Sequence, residues 1–134
     1  MDKLRKGLTM IPPLTLSLLT FLAILWLTLA PKPLGEEPPS LFEGADKVVH
    51  AIMFGGFAWM IDIDYQRRHG WKPLKLRLAA DAAFFSFCLG VIIECMQRNM
   101  DLGRGFDPFD IIADGCGCIL AVAFQMICQK KWSV

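Results

Sequence analysis

Four apolar stretches, separated by short polar segments, dominate the sequence. They lie at about residues 11–30, 46–63, 78–96 and 109–128, and each approaches the ~20 residues that a helix needs to cross the hydrocarbon of a bilayer. The segments between them concentrate prolines, glycines and charged residues, which disfavour long regular elements. The pattern predicts an all-α, integral membrane four-helix bundle of four transmembrane spans, formed by residues 1–134 as a single domain.

The first stretch has two interpretations. Pro12 and Pro13 open it, and a helix accepts proline in its first turn. Basic residues precede it and small residues end it, as in a cleaved signal peptide. Pro31 would follow the cut, however, and the apolar core is long for a signal peptide. We therefore expect a retained membrane anchor, with the signal peptide as the alternative.

Composition agrees with a membrane protein. The chain of 134 residues is 54% hydrophobic with a mean hydropathy of +0.44, which is more apolar material than a soluble domain of this size can bury. The net charge is only +1, so no basic surface for nucleic acid is indicated. The expected partner is the lipid bilayer.

Lysine and arginine predict the orientation. They are retained in excess on the cytoplasmic side of a membrane protein. One side would carry ten of them (Lys3, Arg5, Lys6, Arg67, Arg68, Lys72, Lys75, Arg77, Lys130, Lys131) and the other four (Lys32, Lys47, Arg98, Arg104). Both termini are therefore expected in the cytoplasm.

This orientation brings the polar ends of three spans to the outer leaflet. The second span begins at the outer leaflet with Asp46, Lys47 and His50. The third span ends there with Glu94, Gln97 and Arg98, and the fourth begins there with Asp107, Asp110 and Asp114. Because hydrocarbon tolerates stranded charge poorly, these groups are expected to face one another inside the bundle.

Some of these residues have structural alternatives. Asp107 precedes Pro108, so it fits a helix cap, and Asp110 would then lie in the first turn, where a carboxylate is favoured. Asp114 lies one turn deeper and must face the bundle, a partner or water. Glu94 could pair with the arginine four residues on. Arg104 stands between two glycines, so it can reach inward to carboxylates or outward to an anionic ligand.

The five cysteines, Cys88, Cys95, Cys116, Cys118 and Cys128, lie in apolar segments without the spacing of a zinc site. We interpret them as packing residues. A bridge from Cys95 to Cys116 or Cys118 is the alternative.

Three motifs resemble those of a known family. DKVVH at 46–50, Glu94 with Gln97, and GRGFDPFDIIADGCG at 103–117 are similar to D-K-x-x-H, E-x-x-Q and G-R-x-F-D-x-x-D-x-x-x-N-x-x-G of the VanZ-like family of small bacterial membrane proteins. The resemblance covers about residues 40–125. One departure is Asp114, where the family often has asparagine. The resemblance implies the bacterial cytoplasmic membrane and an envelope-associated function, since the family is named for a teicoplanin-resistance protein.

Three functions compete at this stage. The first is a site that binds or modifies a lipid-linked envelope component or a phospholipid headgroup. Its candidate catalytic residues are His50, Glu94, Asp110 and Asp114, and its candidate ligand-binding residues are Asp46, Lys47, Gln97, Arg104 and Asp107. A carboxylate-rich group with one histidine would also suit a divalent cation. The second is a non-enzymatic protein whose charges lock the helices together, and the third is an ion or proton transporter.

Overall fold

The chain folds into helices throughout its described part. The computed structural model describes residues 2–29, 45–100 and 108–132. These contain the α-helices α1 (Asp2–Thr9), α2 (Thr15–Leu29), α3 (Ala45–Arg68), α4 (Leu76–Met100) and α5 (Pro108–Trp132), with no strand among them. The predicted all-α class is confirmed.

Three of the helices are long and apolar enough to cross a membrane. Their apolar segments are Lys47–Arg68, Leu76–Asn99 and Pro108–Lys131, of 22 to 24 residues, and 22 residues of α-helix measure about 33 Å. Large apolar side chains point outward on all three, with Ile52, Phe84 and Ile119 68 to 70% exposed. Outward apolar side chains are typical of a protein whose surroundings are lipid.

The amino-terminal part differs from the prediction. α2 begins only at Thr15 and spans 15 residues, and Pro12 and Pro13 precede it instead of forming its first turn. The cause is a break at Leu14, whose φ is 65°, a left-handed conformation that a helix interior does not accept. The separate amphipathic helix α1 was not predicted.

α3 is the central helix of the bundle. It contacts each of the other four helices. In addition, α4 packs on both α2 and α5. α3 runs parallel to α5 and antiparallel to α4, as the paired contacts along them require. The buried apolar core contains Ile24, Phe54, Phe57, Ala58, Ala83, Ile93, Cys118 and Ala121.

α3 and α5 touch through their backbones. A Cβ atom on Gly55 would lie 2.6 Å from the carbonyl oxygen of Gly117, and one on Gly117 would overlap the backbone of Ala51. Only glycine permits so close an approach, as at the small-residue interfaces common between membrane helices. The contact lies one turn from His50 on α3 and from Asp114 on α5, so it determines how near their side chains can come.

Asp64 joins α2 to α3 at the opposite end of the bundle. It is 1% exposed, and its Oδ2 accepts hydrogen bonds from the backbone N–H of Ser17 at 2.8 Å and from the Ser17 hydroxyl at 2.7 Å. Arg67 donates to its other carboxylate oxygen at 2.5 Å and to the carbonyl of Ile11. Asp64 thus satisfies a free donor in the first turn of α2, which the sequence did not predict.

A glutamine network closes the same end. The fully buried Gln125 accepts a hydrogen bond from Trp59 Nε1 at 2.9 Å and donates to Gln66 Oε1 at 2.9 Å. Gln129 binds both the N–H and the carbonyl of Leu74, each at 2.9 Å. These amides connect α3, α5 and the connection before α4 without a net charge.

The close approach of α3 and α5 predicts a specific sensitivity. Gly117→Ala should lower the free energy of unfolding by about 1–3 kcal/mol, because the added methyl group overpacks a backbone contact. Gly56→Ala is the matched control, since a Cβ at Gly56 meets nothing within 4 Å. Denaturant titration of both variants in detergent measures the difference. Equal stability of the two variants would contradict the described helix crossing.

Candidate functional site

A histidine and a buried aspartate form the centre of the polar cluster. His50 Nδ1 lies 3.1 Å from Asp114 Oδ1, and Asp114 is 1% exposed. His50 comes from the second turn of α3 and Asp114 from the second turn of α5. With Asp114 ionised, its carboxylate can only accept, which assigns the proton of this hydrogen bond to Nδ1 and holds the imidazole in one orientation.

Gly90 leaves the space that Asp114 occupies. A Cβ atom on Gly90 would lie 2.6 Å from Asp114 Oδ2, so the carboxylate packs directly on the backbone of α4. No hydrogen-bond donor to Oδ2 is found among the described residues. One oxygen of Asp114 therefore binds α3, while the other lies against α4.

Asp110 extends the cluster toward the helix ends. Its Oδ1 lies 2.7 Å from Lys47 Nζ, and its Oδ2 lies 3.6 Å from His50 Nε2. The first contact is an ion pair, and the second distance is too long for a hydrogen bond. Asp110 is also the third residue of α5, so its predicted position in the first helical turn agrees with the structure.

Glu94 completes the group from α4. It is 1% exposed, and its carboxylate lies close to the histidine and to Asp110. One ligand atom from each of His50, Glu94 and Asp110 lies within 4.8 Å of the others. The three long helices thus each contribute one metal-ligating side chain to a single point.

Gln97 makes a different contact. It is 3% exposed, and its Nε2 donates to the backbone carbonyl of Thr28 at 2.6 Å. Thr28 also donates its own hydroxyl to Ile24 O at 2.6 Å. Gln97 therefore joins α4 to α2.

The structure describes no side chain for three of the predicted site residues. Arg104 and Asp107 lie outside the described residues, and so does the side chain of Asp46. Their assignment to the site stays a prediction.

The chain matches one family model. The VanZ/LLP1 family model covers residues 2–129. The chain belongs to this family. No curated protein matches the chain significantly, and neither does any solved structure. With its three long apolar helices, the chain is a VanZ-like membrane protein, and the resemblance seen in its three motifs is confirmed.

The motifs of the VanZ-like resemblance coincide with the cluster. His50 and Lys47 come from the first motif, Glu94 and Gln97 from the second, and Asp110 and Asp114 from the third. At the departure from the family pattern, the carboxylate of Asp114 receives a hydrogen bond that an asparagine oxygen could also accept. The aspartate adds a negative charge at this point, which an asparagine would not.

The cysteines form no disulfide in the VanZ-like fold. All five are free thiols, and Cys118 is buried while Cys95 and Cys116 are exposed. The alternative of a bridge from Cys95 is therefore not realised. Cys118 instead lies 3.8 Å from the carbonyl of Phe54, to which Ser86 donates at 2.6 Å.

Sequence reasoning missed the residues that shape the site. No role in the site was predicted for Gly90, yet it makes room for Asp114. Thr28 was not assigned to any polar contact, although it receives Gln97. The available signal was spacing, since Gly90 lies four residues before Glu94 and so on the same face of α4.

Because Asp114 packs on α4, the effects of substitutions at Gly90 and Asp114 on stability should depend on each other. Gly90→Ala should destabilise the protein by about 1 kcal/mol, because the methyl group displaces the carboxylate from its hydrogen bond with His50. In an Asp114→Ala background the same change should cost less, since no carboxylate remains to be displaced. A double-mutant cycle by denaturant unfolding measures this difference. Additive effects of the two substitutions would contradict the contact.

Proposed function

We propose that the polar cluster of α3, α4 and α5 binds, and is equipped to modify, a lipid-linked component of the bacterial cell envelope. The observation that carries the proposal is the buried His50–Asp114 pair with Glu94 and Asp110 beside it. An imidazole fixed by a carboxylate is the common arrangement for a general base or a ligand. These four residues come from three helices and place one imidazole beside three carboxylates.

The depth of the cluster fits a headgroup ligand. Asp110 is the third residue of α5 and Asp114 the seventh, so at ~1.5 Å per residue Asp114 lies about 9 Å below the first residue of the helix. The middle of a ~30 Å hydrocarbon core would lie deeper. Polar groups at this level are within reach of a phosphate, sugar or amine at the membrane surface.

The proposal places the cluster at the outer leaflet. We infer four spans by counting the shorter apolar helix α2 with the three long ones. The excess of lysine and arginine at the opposite end then favours both termini in the cytoplasm. The basic residues of α1, Arg67 and Arg68 at the end of α3, and Lys130 and Lys131 at the end of α5 support this orientation. The cytoplasmic membrane is the proposed location.

The chemistry at the cluster favours an anionic or hydroxylated ligand. Lys47 and Arg104 are the proposed contacts for a phosphate or carboxylate. His50, with its Nδ1 hydrogen-bonded to Asp114, presents Nε2 as the base. An envelope lipid bound or altered here would change what a glycopeptide antibiotic such as teicoplanin meets at the surface.

A second candidate function is a helix lock without ligand. Three contacts of the cluster join α3 to α5: Lys47–Asp110, His50–Asp110 and His50–Asp114. Breaking a buried pair typically costs about 3–5 kcal/mol, so such pairs can hold helices together. This helix lock accounts for the contacts between α3 and α5, whereas the site proposal also includes Glu94 of α4.

Transport by a single chain is disfavoured. The His50 cluster and the glutamine network lie at opposite ends of the bundle, and the core between them contains Phe54 and Phe57, each at most 3% exposed. Ion pathways place polar groups near the middle of the membrane.

The two candidates differ in what Glu94→Gln and Asp110→Asn do. We expect both variants to keep the expression level and thermal stability of the parent protein, since each amide retains the shape of its carboxylate, and to abolish reduced teicoplanin susceptibility in a bacterium that expresses the chain. Measurements are the thermal midpoint in detergent and the inhibitory concentration of teicoplanin.

Asp81→Asn is the matched control, because Asp81 is an exposed carboxylate near the opposite end of α4. It should leave both readouts unchanged. If Glu94→Gln and Asp110→Asn fail to fold while Asp81→Asn folds, the cluster only holds the helices together, and the proposal of a binding site is wrong.

A further inference from the structure

We propose that His50, Glu94 and Asp110 form a binding site for one divalent cation. The three residues come from three different helices, and one ligand atom from each lies within 4.8 Å of the others. This inference goes beyond the proposed function, since a cation could bind here whether or not an envelope lipid does.

The separation between His50 and Asp110 fits two ligands of one ion. Nε2 and Oδ2 are 3.6 Å apart, which is beyond hydrogen-bond distance. Two ligand atoms each about 2.0–2.2 Å from a tetrahedral ion stand roughly 3.3–3.6 Å apart. The distance between Nε2 and Oδ2 therefore matches the separation of two ligand atoms on one metal ion.

The histidine presents the required nitrogen. Its Nδ1 lies 3.1 Å from Asp114 Oδ1. With Asp114 ionised, the proton is on Nδ1, and the unprotonated Nε2 lies 3.6 Å from Asp110 Oδ2. Metal-bound histidines almost always donate their other N–H to a carboxylate or carbonyl, which fixes the ring and raises its basicity. Asp114 supplies this partner and is not itself a proposed ligand.

A second observation supports the site, namely a buried carboxylate oxygen beside it. Asp114 is 1% exposed, and its Oδ2 has no hydrogen-bond donor among the described residues. This oxygen lies against Gly90, one turn from Glu94 on α4. A buried carboxylate oxygen without a donor is costly, and a water molecule bound to the cation would supply one.

The ligand set favours a particular class of ion. One imidazole nitrogen and two carboxylates suit Mn²⁺ or Zn²⁺, whereas Mg²⁺ and Ca²⁺ prefer oxygen alone. Three protein ligands leave at least one coordination position open for water or for an oxygen of a bound molecule.

The sequence contains two histidines, His50 and His69, so the source of a nitrogen ligand can be determined by removing one of them. The purified full-length chain, carrying an affinity tag without histidine and freed of metal by a chelator, is titrated with Mn²⁺ and followed by electron paramagnetic resonance. We expect one Mn²⁺ per chain, displaced by Zn²⁺. His69→Gln, in which the exposed histidine at the end of α3 is removed, should bind equally and retain nitrogen coupling to the ion.

Variants of the cluster should weaken binding in a graded manner. His50→Gln, Glu94→Gln and Asp110→Asn should each lose about 100-fold or more in affinity, and Asp114→Ala about 10- to 100-fold, as expected for the partner of a ligand. Asp81→Asn should bind like the parent. Folding of each variant is checked by circular dichroism and gel filtration.

Two results would overturn the site. One is the absence of saturable binding to the parent protein. The other is loss of nitrogen coupling in His69→Gln, which would assign the ion to His69. The His69→Gln measurement decides the matter even if the His50 variant does not fold. Metal binding without a teicoplanin phenotype would leave the cation site intact and contradict only the proposed envelope function.

Discussion

Hydrocarbon does not solvate charge, and this constraint explains the arrangement of the VanZ-like bundle. Asp114 lies two turns into a long apolar helix and is 1% exposed, so its carboxylate needs a partner within the protein. The partner is His50, at 3.1 Å on the parallel helix α3. The two side chains meet because Gly117 and Gly55 allow the backbones of α3 and α5 to touch, and Gly90 provides the space on α4.

The sequence was sufficient to predict the three long helices and the group of residues that they bring together. Apolar length gave α3, α4 and α5, and the cost of burying charge indicated that His50, Glu94, Asp110 and Asp114 would face one another. The helices extend further than predicted, since α3 continues to Arg68 and α4 to Met100. Polar and charged residues at helix ends do not mark where backbone hydrogen bonding stops.

Other features depend on contacts between distant residues and could not be predicted from local pattern. The first apolar stretch appeared continuous from residue 11, yet the chain turns at Leu14, and Asp64, 47 residues beyond Ser17, completes the first turn of α2. Likewise Gln97 appeared to belong to the outer cluster, whereas its amide reaches the carbonyl of Thr28 at 2.6 Å. Spacing indicates which face a side chain occupies but not which neighbour accepts its hydrogen bond.

The claim that Asp114 holds His50 with its proton on Nδ1 is tested most directly by nuclear magnetic resonance of ¹⁵N-labelled histidine in the His69→Gln protein, where His50 is the remaining imidazole. We expect a protonated Nδ1 with a strongly downfield proton that disappears, or moves to Nε2, in Asp114→Ala. A proton on Nε2 alone in the parent protein, unchanged by Asp114→Ala, would contradict it.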